Sequence, residues 1–340
     1  MKHWLSVLCL LVAASLVMTA CAPAATPAPA APAAPAAPAA TAVPAATAVP
    51  PTAAPTNTPE PTAVPATPTA AAPTPVAVVP AEALSQKGHL LICSDLPYPP
   101  QEFFDDNGDP TGLDIEIGTE IGSRLGLKVQ IVNSVFDTII AAVSSGKCDI
   151  IISAQNITAD RQKQVSMIPY FKAGQSFVVT KGNPNKISTA LDLCGQPVAA
   201  ESGTTEVDHL NGTGDYKKDG GLPAACIKAG KKAPSTVVTQ KDSDALQQLQ
   251  ANKVVAYFTD SPVAGYYTVQ HPDQFEVAGD VVDAVAEGIS IPCGVADCTK
   301  APLSPLGQSV QTALKSMITD GAYGKILDKW KLANGAVTLP

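Results

Sequence analysis

The chain has 340 residues, enough for two compact lobes, and carries 22 basic and 30 acidic side chains, a formal net charge of −8. Lys2 and Glu60 are the only charged residues before position 81 and cancel each other, so the negative charge lies in residues 82–340. An acidic region with scattered lysines and no basic stripe argues against a nucleic-acid-binding protein.

The amino terminus has the pattern of an export signal. Lys2 and His3 precede an apolar run over residues 4–17 that is short for a permanent membrane span, and Met18-Thr-Ala-Cys21 is similar to a lipobox. We expect a lipoprotein signal peptide over residues 1–20 and lipidation of the Cys21 thiol. The lipid anchor would hold the protein extracytoplasmically, on the outer face of the cell membrane. The alternative is a cleaved secretory signal without a lipid.

Residues 21–83 are almost entirely Ala, Pro, Thr and Val. Such a composition buries too little apolar surface to offset the entropy of ordering, so we predict a disordered linker. Its prolines favour extended polyproline II at about 3.1 Å per residue, which makes the linker a semi-rigid tether.

Strand and helix patterns alternate after the linker, which predicts an α/β fold with helices on both faces of mostly parallel sheets. The first set comprises strands near residues 90–93, 129–132 and 148–153 and helices near 115–125 and 136–143. The second set comprises strands near 197–200, 237–239 and 254–258, helices near 202–206 and 243–250, and two final helical faces at 310–317 and 323–330. Two such sets predict two lobes.

Polar residues follow several of these strands. Open α/β sheets bind ligands beyond the carboxyl ends of their strands, where Asp95, residues 154–161, residues 201–205 and Asp260 all fall. Arg161 is suited to a carboxylate, because its planar guanidinium offers two parallel hydrogen bonds. The alternative for a single arginine is a surface salt bridge.

Six cysteines remain after Cys9 and Cys21 are assigned to the signal and the lipid. An even number in an exported domain suggests disulfides. We predict pairs between Cys194 and Cys226 and between Cys293 and Cys298, while Cys93 and Cys148 either pair or remain buried thiols. Zinc is disfavoured because no Cys-x-x-Cys and no histidine cluster are present. We expect neither a metal nor a cofactor.

Seven segments, in this order and spacing, resemble family 3 extracellular solute-binding proteins, the polar amino-acid receptors of ABC importers. They are residues 95–103, 112–116, 136–142, 153–161, 201–205, 259–262 and 320–330. The resemblance covers residues 88–331. It implies a two-lobed periplasmic-binding-protein fold of type II, the Venus-flytrap arrangement, in a monomer that binds an amino acid and then a membrane permease.

The resemblance also implies the lobe boundaries and the mechanism. Lobe 1 is expected to contain residues 84–175 and 285–340, and lobe 2 residues 180–280. The chain is expected to cross between lobes near residues 171–179 and 281–287, which act as a hinge. Ligand contacts to both lobes exist together only in the closed form, so binding favours closure.

The resemblance implies that two charged side chains bind the α-carboxylate and the α-ammonium of the ligand. Arg161 would bind the α-carboxylate and Asp260 the α-ammonium, because a buried zwitterion needs both charges compensated. The supporting groups are expected to be the backbone N–H groups of Thr204 and Thr205, the Ala154 carbonyl, and Asn156.

The ligand side chain is expected to lie between Tyr98 and Phe136, although both could be ordinary core residues. Asp95, Gln101 and Glu201 would set specificity. Two acidic residues favour a basic amino acid (arginine, lysine or ornithine), whereas Gln101 would also suit glutamine or another polar amino acid. Glu201 could instead form a local salt bridge.

An exported dehydratase of the same fold is the rival, with Glu201 as the candidate general acid or base. No nucleophile–histidine pattern accompanies it, so we expect a binding protein and not an enzyme. No role follows from the sequence for residues 209–235.

Overall fold

The computed structural model describes residues 75–339. The expected signal peptide, the lipidation site at Cys21 and most of the expected linker lie outside these residues. None of the described helices is long and apolar enough to cross a bilayer.

Ten strands and nine helices carry the fold within this range. The strands are β1 His89–Ser94, β2 Phe103–Phe104, β3 Pro110–Thr111, β4 Lys128–Asn133, β5 Ile150–Ile151, β6 Ser166–Thr180, β7 Pro197–Glu201, β8 Ser235–Thr239, β9 Ala256–Asp260 and β10 Phe275–Ile291. The helices are α1 Leu113–Arg124, α2 Ile139–Ser144, α3 Ala159–Gln164, α4 Thr205–Asn211, α5 Gly221–Lys228, α6 Asp242–Gln250, α7 Ser261–Gln270, α8 Pro305–Asp320 and α9 Ala322–Trp330.

Eight strands form one sheet in the order β4-β1-β5-β10-β6-β9-β7-β8. β1 runs parallel to β4 and β5, and β7 runs parallel to β8 and β9. Between these two parallel units lie the long strands β6 and β10, which pair antiparallel with each other over most of their length. The alternating pattern predicted the two parallel units; it did not predict that the crossings are two continuous strands.

Each parallel unit has its own core. Lobe 1 contains β1–β5, α1–α3, α8 and α9, and its main core brings Leu90 and Ile117 together with Val310 and Leu314. Lobe 2 contains β7–β9 and α4–α7, with cores around Val198 and Tyr257. The predicted two-lobed α/β fold is confirmed.

Three disulfides are present, and they include both predicted pairs. Cys194–Cys226 and Cys293–Cys298 each have Cα atoms 5.5 Å apart. Cys93 and Cys148 also pair, with Cα atoms 5.7 Å apart, which resolves the alternative of buried thiols. All six cysteines of residues 75–339 are therefore in disulfides.

The expected linker ends earlier than predicted. The Val76 N–H donates to the Arg124 carbonyl at 2.9 Å, and the Ser309 hydroxyl donates to the Val78 carbonyl at 3.3 Å. Ala77 and Val79 pack against the lobe 1 core. The composition argument missed this because valines at the end of the linker supply the apolar contacts that the upstream Ala/Pro/Thr repeats lack.

Candidate functional site

A small cavity lies between the lobes, beyond the ends of β1, β5, β7 and β9. Its lining residues are Asp95, Tyr98, Glu102, Phe136, Ser153, Ala154, Asn156, Arg161, Glu201, Thr204, Thr205, Glu206 and Asp260. The structure therefore brings every predicted site residue to one place, with the exception of Gln101.

Arg161 lies in α3, just after the turn that follows β5. The turn uses a left-handed residue, Ala154, at φ 42°, and the Thr158 hydroxyl caps the helix by accepting from the Arg161 N–H at 3.2 Å. The guanidinium is 9% exposed and donates to two carbonyls, Asn156 in lobe 1 at 2.9 Å and Gly203 in lobe 2 at 3.0 Å. Two carbonyl contacts leave further N–H groups of the fork for a ligand carboxylate.

The Arg161 guanidinium also faces an aromatic ring. Its central carbon lies 5.3 Å from the centroid of Phe136, within the range of a cation–π contact. Phe136 stands at the start of the short helical stretch that leads into α2, so it is partly a helix residue and partly a wall of the cavity.

Asp260 ends β9 and is 4% exposed. Its Oδ2 accepts from the Tyr98 hydroxyl at 2.8 Å, while Oδ1 has no partner among the described residues. Burial raises the pKa of the Asp260 carboxyl to about 6, against the lowering effect of the Tyr98 hydroxyl and the Arg161 charge. The free oxygen is a hydrogen-bond acceptor of the kind that an ammonium group requires.

Asn156 connects the lobes through its amide. Its Nδ2 donates to the Thr205 hydroxyl oxygen at 2.8 Å, and Gln175 in β6 donates to the same oxygen at 2.7 Å. The Asn156 Oδ1 is buried and has no partner among residues 75–339. Thr204 precedes α4 as its cap, and its hydroxyl accepts from the Val207 N–H at 3.4 Å.

At the other end of the cavity Glu201 and Asp95 have different surroundings. Glu201 is 5% exposed and its Oε1 has no partner in the described part of the chain. Burial, followed by the charges of Asp242 and Asp95, raises the pKa of the Glu201 carboxyl to about 10. Asp95 instead accepts from the Lys241 ammonium and, at 2.5 Å, from the Phe136 N–H.

Gln101 lies outside the cavity, contrary to the prediction for it. The side chain is fully buried, and its amide nitrogen donates to the Glu287 carboxylate at 2.9 Å. The motif from Asp95 to Phe103 placed it near the site, but its side chain turns toward β10. Sequence position gave no indication of this direction, because Glu287 is 186 residues away.

Four residues at the site were missed from the sequence. Glu102 and Ser153 form one buried pair, in which the Ser153 hydroxyl donates to Glu102 Oε1 at 2.6 Å. Burial raises the pKa of Glu102 and also that of Glu206, which follows Thr205 directly and was therefore within reach of a motif-based prediction. No sequence motif marks Lys241 as a site residue, since it resembles any lysine that precedes a helix.

The lining as a whole is rich in carboxyl groups, and burial raises the pKa of each of them. It contains five carboxyl groups and one guanidinium, that of Arg161. None of the described histidines lines the cavity; His209 lies in α4 with its Nδ1 3.1 Å from Asp283. Arg161 can bind an anionic group at one point of the cavity, and Asp260 can bind a cationic group at another. This arrangement suits a ligand that carries both charges.

Comparison with known proteins gives relatives of one kind. The chain is 24% identical over 248 residues to the L-cystine-binding protein TcyJ of Escherichia coli K12, covering 73% of this chain and 84% of the relative. It is 27% identical over 261 residues to the arginine-binding protein ArgT of Corynebacterium glutamicum, covering 76% and 79%.

Solved structures point the same way. An ancestral arginine-binding protein, solved with arginine and with glutamine, has a TM-score of 0.61 and 33% identity, and its arginine complex covers 72% of this chain and 98% of that one. An ancestral amino-acid-binding protein that is a precursor of cyclohexadienyl dehydratase has a TM-score of 0.59 and 32% identity, covering 72% and 95%.

The relatives named here are binding proteins and not enzymes, although one of the solved structures is of a precursor of a dehydratase. The family described as bacterial extracellular solute-binding proteins, family 3, matches residues 90–333. Together with the two lobes and the cavity between them, this match shows that the chain belongs to the bacterial extracellular solute-binding proteins of family 3.

Proposed function

We propose that this protein is the amino-acid receptor of an ABC importer and that its ligand is a basic amino acid, arginine, lysine or ornithine. The observation that carries the proposal is the pair of opposite charges, Arg161 and Asp260, in one buried cavity whose remaining ionisable groups are four carboxyls and the Tyr98 phenol.

The main-chain groups of the ligand fit this pair. A zwitterion removed from water needs a partner for each charge, because an unpaired buried charge is strongly unfavourable. Arg161 offers the remaining N–H groups of its fork to the α-carboxylate, beside the turn at Thr204 and Thr205. Asp260 offers the unpaired Oδ1 to the α-ammonium, with the unpaired Asn156 Oδ1 as a second acceptor.

A cationic side chain is supported by the far end of the cavity. Glu201 is almost fully buried and holds an oxygen without a partner in the described residues. A guanidinium or ammonium next to this carboxyl would satisfy the oxygen and favour its ionised form. Two of the similar proteins, one relative and one solved structure, are arginine-binding proteins.

Lobe closure is the proposed mechanism. Arg161 already touches carbonyls of both lobes, and Tyr98 of lobe 1 meets Asp260 of lobe 2. A ligand that contacts both walls binds the closed form better than the open form and shifts the population toward it. The closed monomer then presents one defined surface to the permease, while a lipid on Cys21 and the linker keep it near the membrane.

Glutamine is the second candidate. The ancestral arginine-binding protein was also solved with glutamine. A Glu201 whose pKa stands at about 10 is protonated at neutral pH, and a protonated carboxyl both donates to and accepts from an amide. The same protonated carboxyl is what a dehydratase would require of a general acid, and the structural likeness to a dehydratase precursor is the observation in favour of that activity.

A thermal-shift screen of the purified protein against the twenty amino acids and ornithine tests the proposal. A ligand that binds only the folded state raises the unfolding midpoint by mass action. We expect the largest shifts with basic amino acids and none with agmatine, which keeps the guanidinium of arginine but lacks the carboxylate. A shift with glutamine alone favours the second candidate. A response to agmatine equal to that for arginine contradicts the role of Arg161.

A further inference from the structure

Lys241 does not line the cavity, but its ammonium contacts Asp95, which does. It precedes α6, in lobe 2, with an extended backbone at φ −128° and ψ 148°. Its ammonium contacts the Asp95 carboxylate and lies 3.2 Å from the Leu96 carbonyl, both in lobe 1. The side chain is 26% exposed, so the cation is held between the lobes at the edge of the cavity.

This contact is one of several hydrogen bonds that the protein itself makes to Asp95. One carboxylate oxygen accepts from the Lys241 ammonium, and the other accepts from the Phe136 N–H at 2.5 Å. The Asp95 side chain is 5% exposed, so few other donors can approach it. Although Asp95 lines the cavity, its charge is already compensated by a cation of the protein itself.

Glu201 is the contrasting case at the same end. It lines the cavity, yet one of its buried oxygens has no partner among residues 75–339. The two carboxyls lie within hydrogen-bonding distance of each other: burial raises the pKa of Glu201 to about 10, and its protonated carboxyl donates to the Asp95 carboxylate. A ligand side chain that extends from Arg161 and Asp260 therefore meets one carboxylate whose charge Lys241 compensates, Asp95, and one carboxyl that keeps an oxygen without a partner in the described residues, Glu201.

We infer that Lys241 is a specificity-determining residue: its ammonium occupies Asp95 and leaves Glu201 as the carboxyl that pairs with the side chain of the ligand. The inference rests on the proposed function, and it differs from the sequence-based expectation that Asp95 and Glu201 both read the ligand. With Lys241 present the far end of the cavity accepts a single positive charge. Without it, two carboxyls would face that charge.

Three variants of the full chain test this inference by calorimetry with arginine and with glutamine. Lys241→Met keeps the length of the side chain and removes its charge, so the preference for arginine over glutamine should increase at least tenfold. Asp95→Asn leaves the Lys241 ammonium uncompensated beside the ligand cation, so this preference should fall at least tenfold. In the double variant both charges are absent, and the preference should return toward the wild-type value.

The double variant distinguishes the two possible roles of Asp95. If Asp95 binds the ligand directly, the double variant loses the preference for arginine as the single Asp95→Asn variant does, and the inference is overturned. It is also overturned if Lys241→Met weakens both ligands by the same factor, as a purely structural latch would. Should Lys241→Met fail to fold, Lys241→Arg and the double variant still decide, because both must retain the preference.

The failure of the proposed function gives a different result. If the wild-type protein binds no amino acid, the receptor proposal and this inference fall together. If the wild type binds and the three variants do not show the pattern of gain, loss and return, the inference alone is wrong.

Discussion

The hydroxyl of Tyr98 donates to the carboxylate of Asp260 at 2.8 Å, across 162 positions of sequence and from one lobe to the other. The same hydroxyl accepts from the Asp260 N–H at 3.3 Å and lies 3.2 Å from the Thr259 hydroxyl. Tyr98 is thus more than an apolar wall for the ligand, because it also orients the group proposed to bind the α-ammonium. The hydrogen bond from Tyr98 to Asp260 therefore both joins the two lobes and orients the proposed ammonium-binding carboxylate.

Removing this hydroxyl with Tyr98→Phe should weaken amino-acid binding by about tenfold, equivalent to about 1.4 kcal/mol, while the ring and the fold remain. Calorimetry measures the affinity, and Tyr266→Phe is the matched control, since Tyr266 in α7 packs against Phe103 and does not line the cavity. An affinity for Tyr98→Phe within twofold of wild type would show that the hydroxyl does not orient Asp260 for the ligand.

Arg161→Ala should abolish binding, with a loss of more than about 100-fold or 2.7 kcal/mol, because the carboxylate loses its counter-ion and the contact to the Gly203 carbonyl of lobe 2 disappears. Arg161→Lys retains the charge without the planar fork, so its affinity should lie between those of the wild type and of Arg161→Ala. Arg124→Ala is the control: Arg124 pairs with Glu120 and Asp320 at the surface, away from the cavity. Retained affinity within about threefold in Arg161→Ala would contradict the carboxylate assignment.

Arginine binding should release a proton at neutral pH. The pKa of Glu201 stands at about 10 without a ligand, so the group is neutral, and a guanidinium beside it favours ionisation. Affinity for arginine should therefore increase with pH from about 7 toward 10, by at most tenfold per pH unit for one proton. Calorimetry in buffers of different ionisation enthalpy detects the release, and Glu201→Gln should eliminate it. No release with wild type would mean that Glu201 stays protonated in the complex.

The ligand-free protein should be more stable at pH 5 than at pH 8. Burial raises the pKa of Asp114 to about 6, of Asp242 to about 7 and of Asp260 to about 6. The folded state therefore binds more protons than the unfolded state between about pH 4 and 7, and its stability is lost as pH rises through 6 to 7. Each group contributes on the order of 1–3 kcal/mol.

Denaturant unfolding at the two pH values measures this change. Asp114→Asn keeps the two acceptor contacts from Ala154 and Tyr170 and should make the decline smaller. Stability that is constant or increases from pH 5 to pH 8 would show that these carboxyls are compensated by ionised partners.

Residues 209–235 contribute contacts to the helix that carries Arg161. Asp215 in lobe 2 accepts from the Ala159 N–H at 3.0 Å, at the start of the helix that carries Arg161, and Lys217 lies 3.9 Å from Asp160. Asp215→Ala should weaken ligand binding about threefold, or 0.7 kcal/mol, mainly through faster dissociation. Stopped-flow measurements give the rates, and Asp273→Ala, at an exposed position of lobe 2, is the control. An unchanged dissociation rate would show that the Asp215 contact does not help to retain the bound ligand.

Much of the site follows from local pattern. The apolar runs that became β1, β7 and β9 end at Asp95, Glu201 and Asp260, and parallel strands bring their carboxyl ends to one edge. The Cys194–Cys226 pair was predictable for a similar reason, because both residues belong to one region of lobe 2. In each case the information lies within one secondary-structure element or one lobe.

The sequence alone determined two lobes, the edge of the sheet that forms the site, and the charges available there, because periodicity and strand ends are local properties. Only the tertiary structure decided that Lys241 occupies Asp95, that Gln101 turns to Glu287, and that Asp215 caps the helix of Arg161. These contacts join residues between 56 and 186 positions apart. Their geometry depends on how two separately packed cores approach each other, and no local sequence pattern encodes that approach.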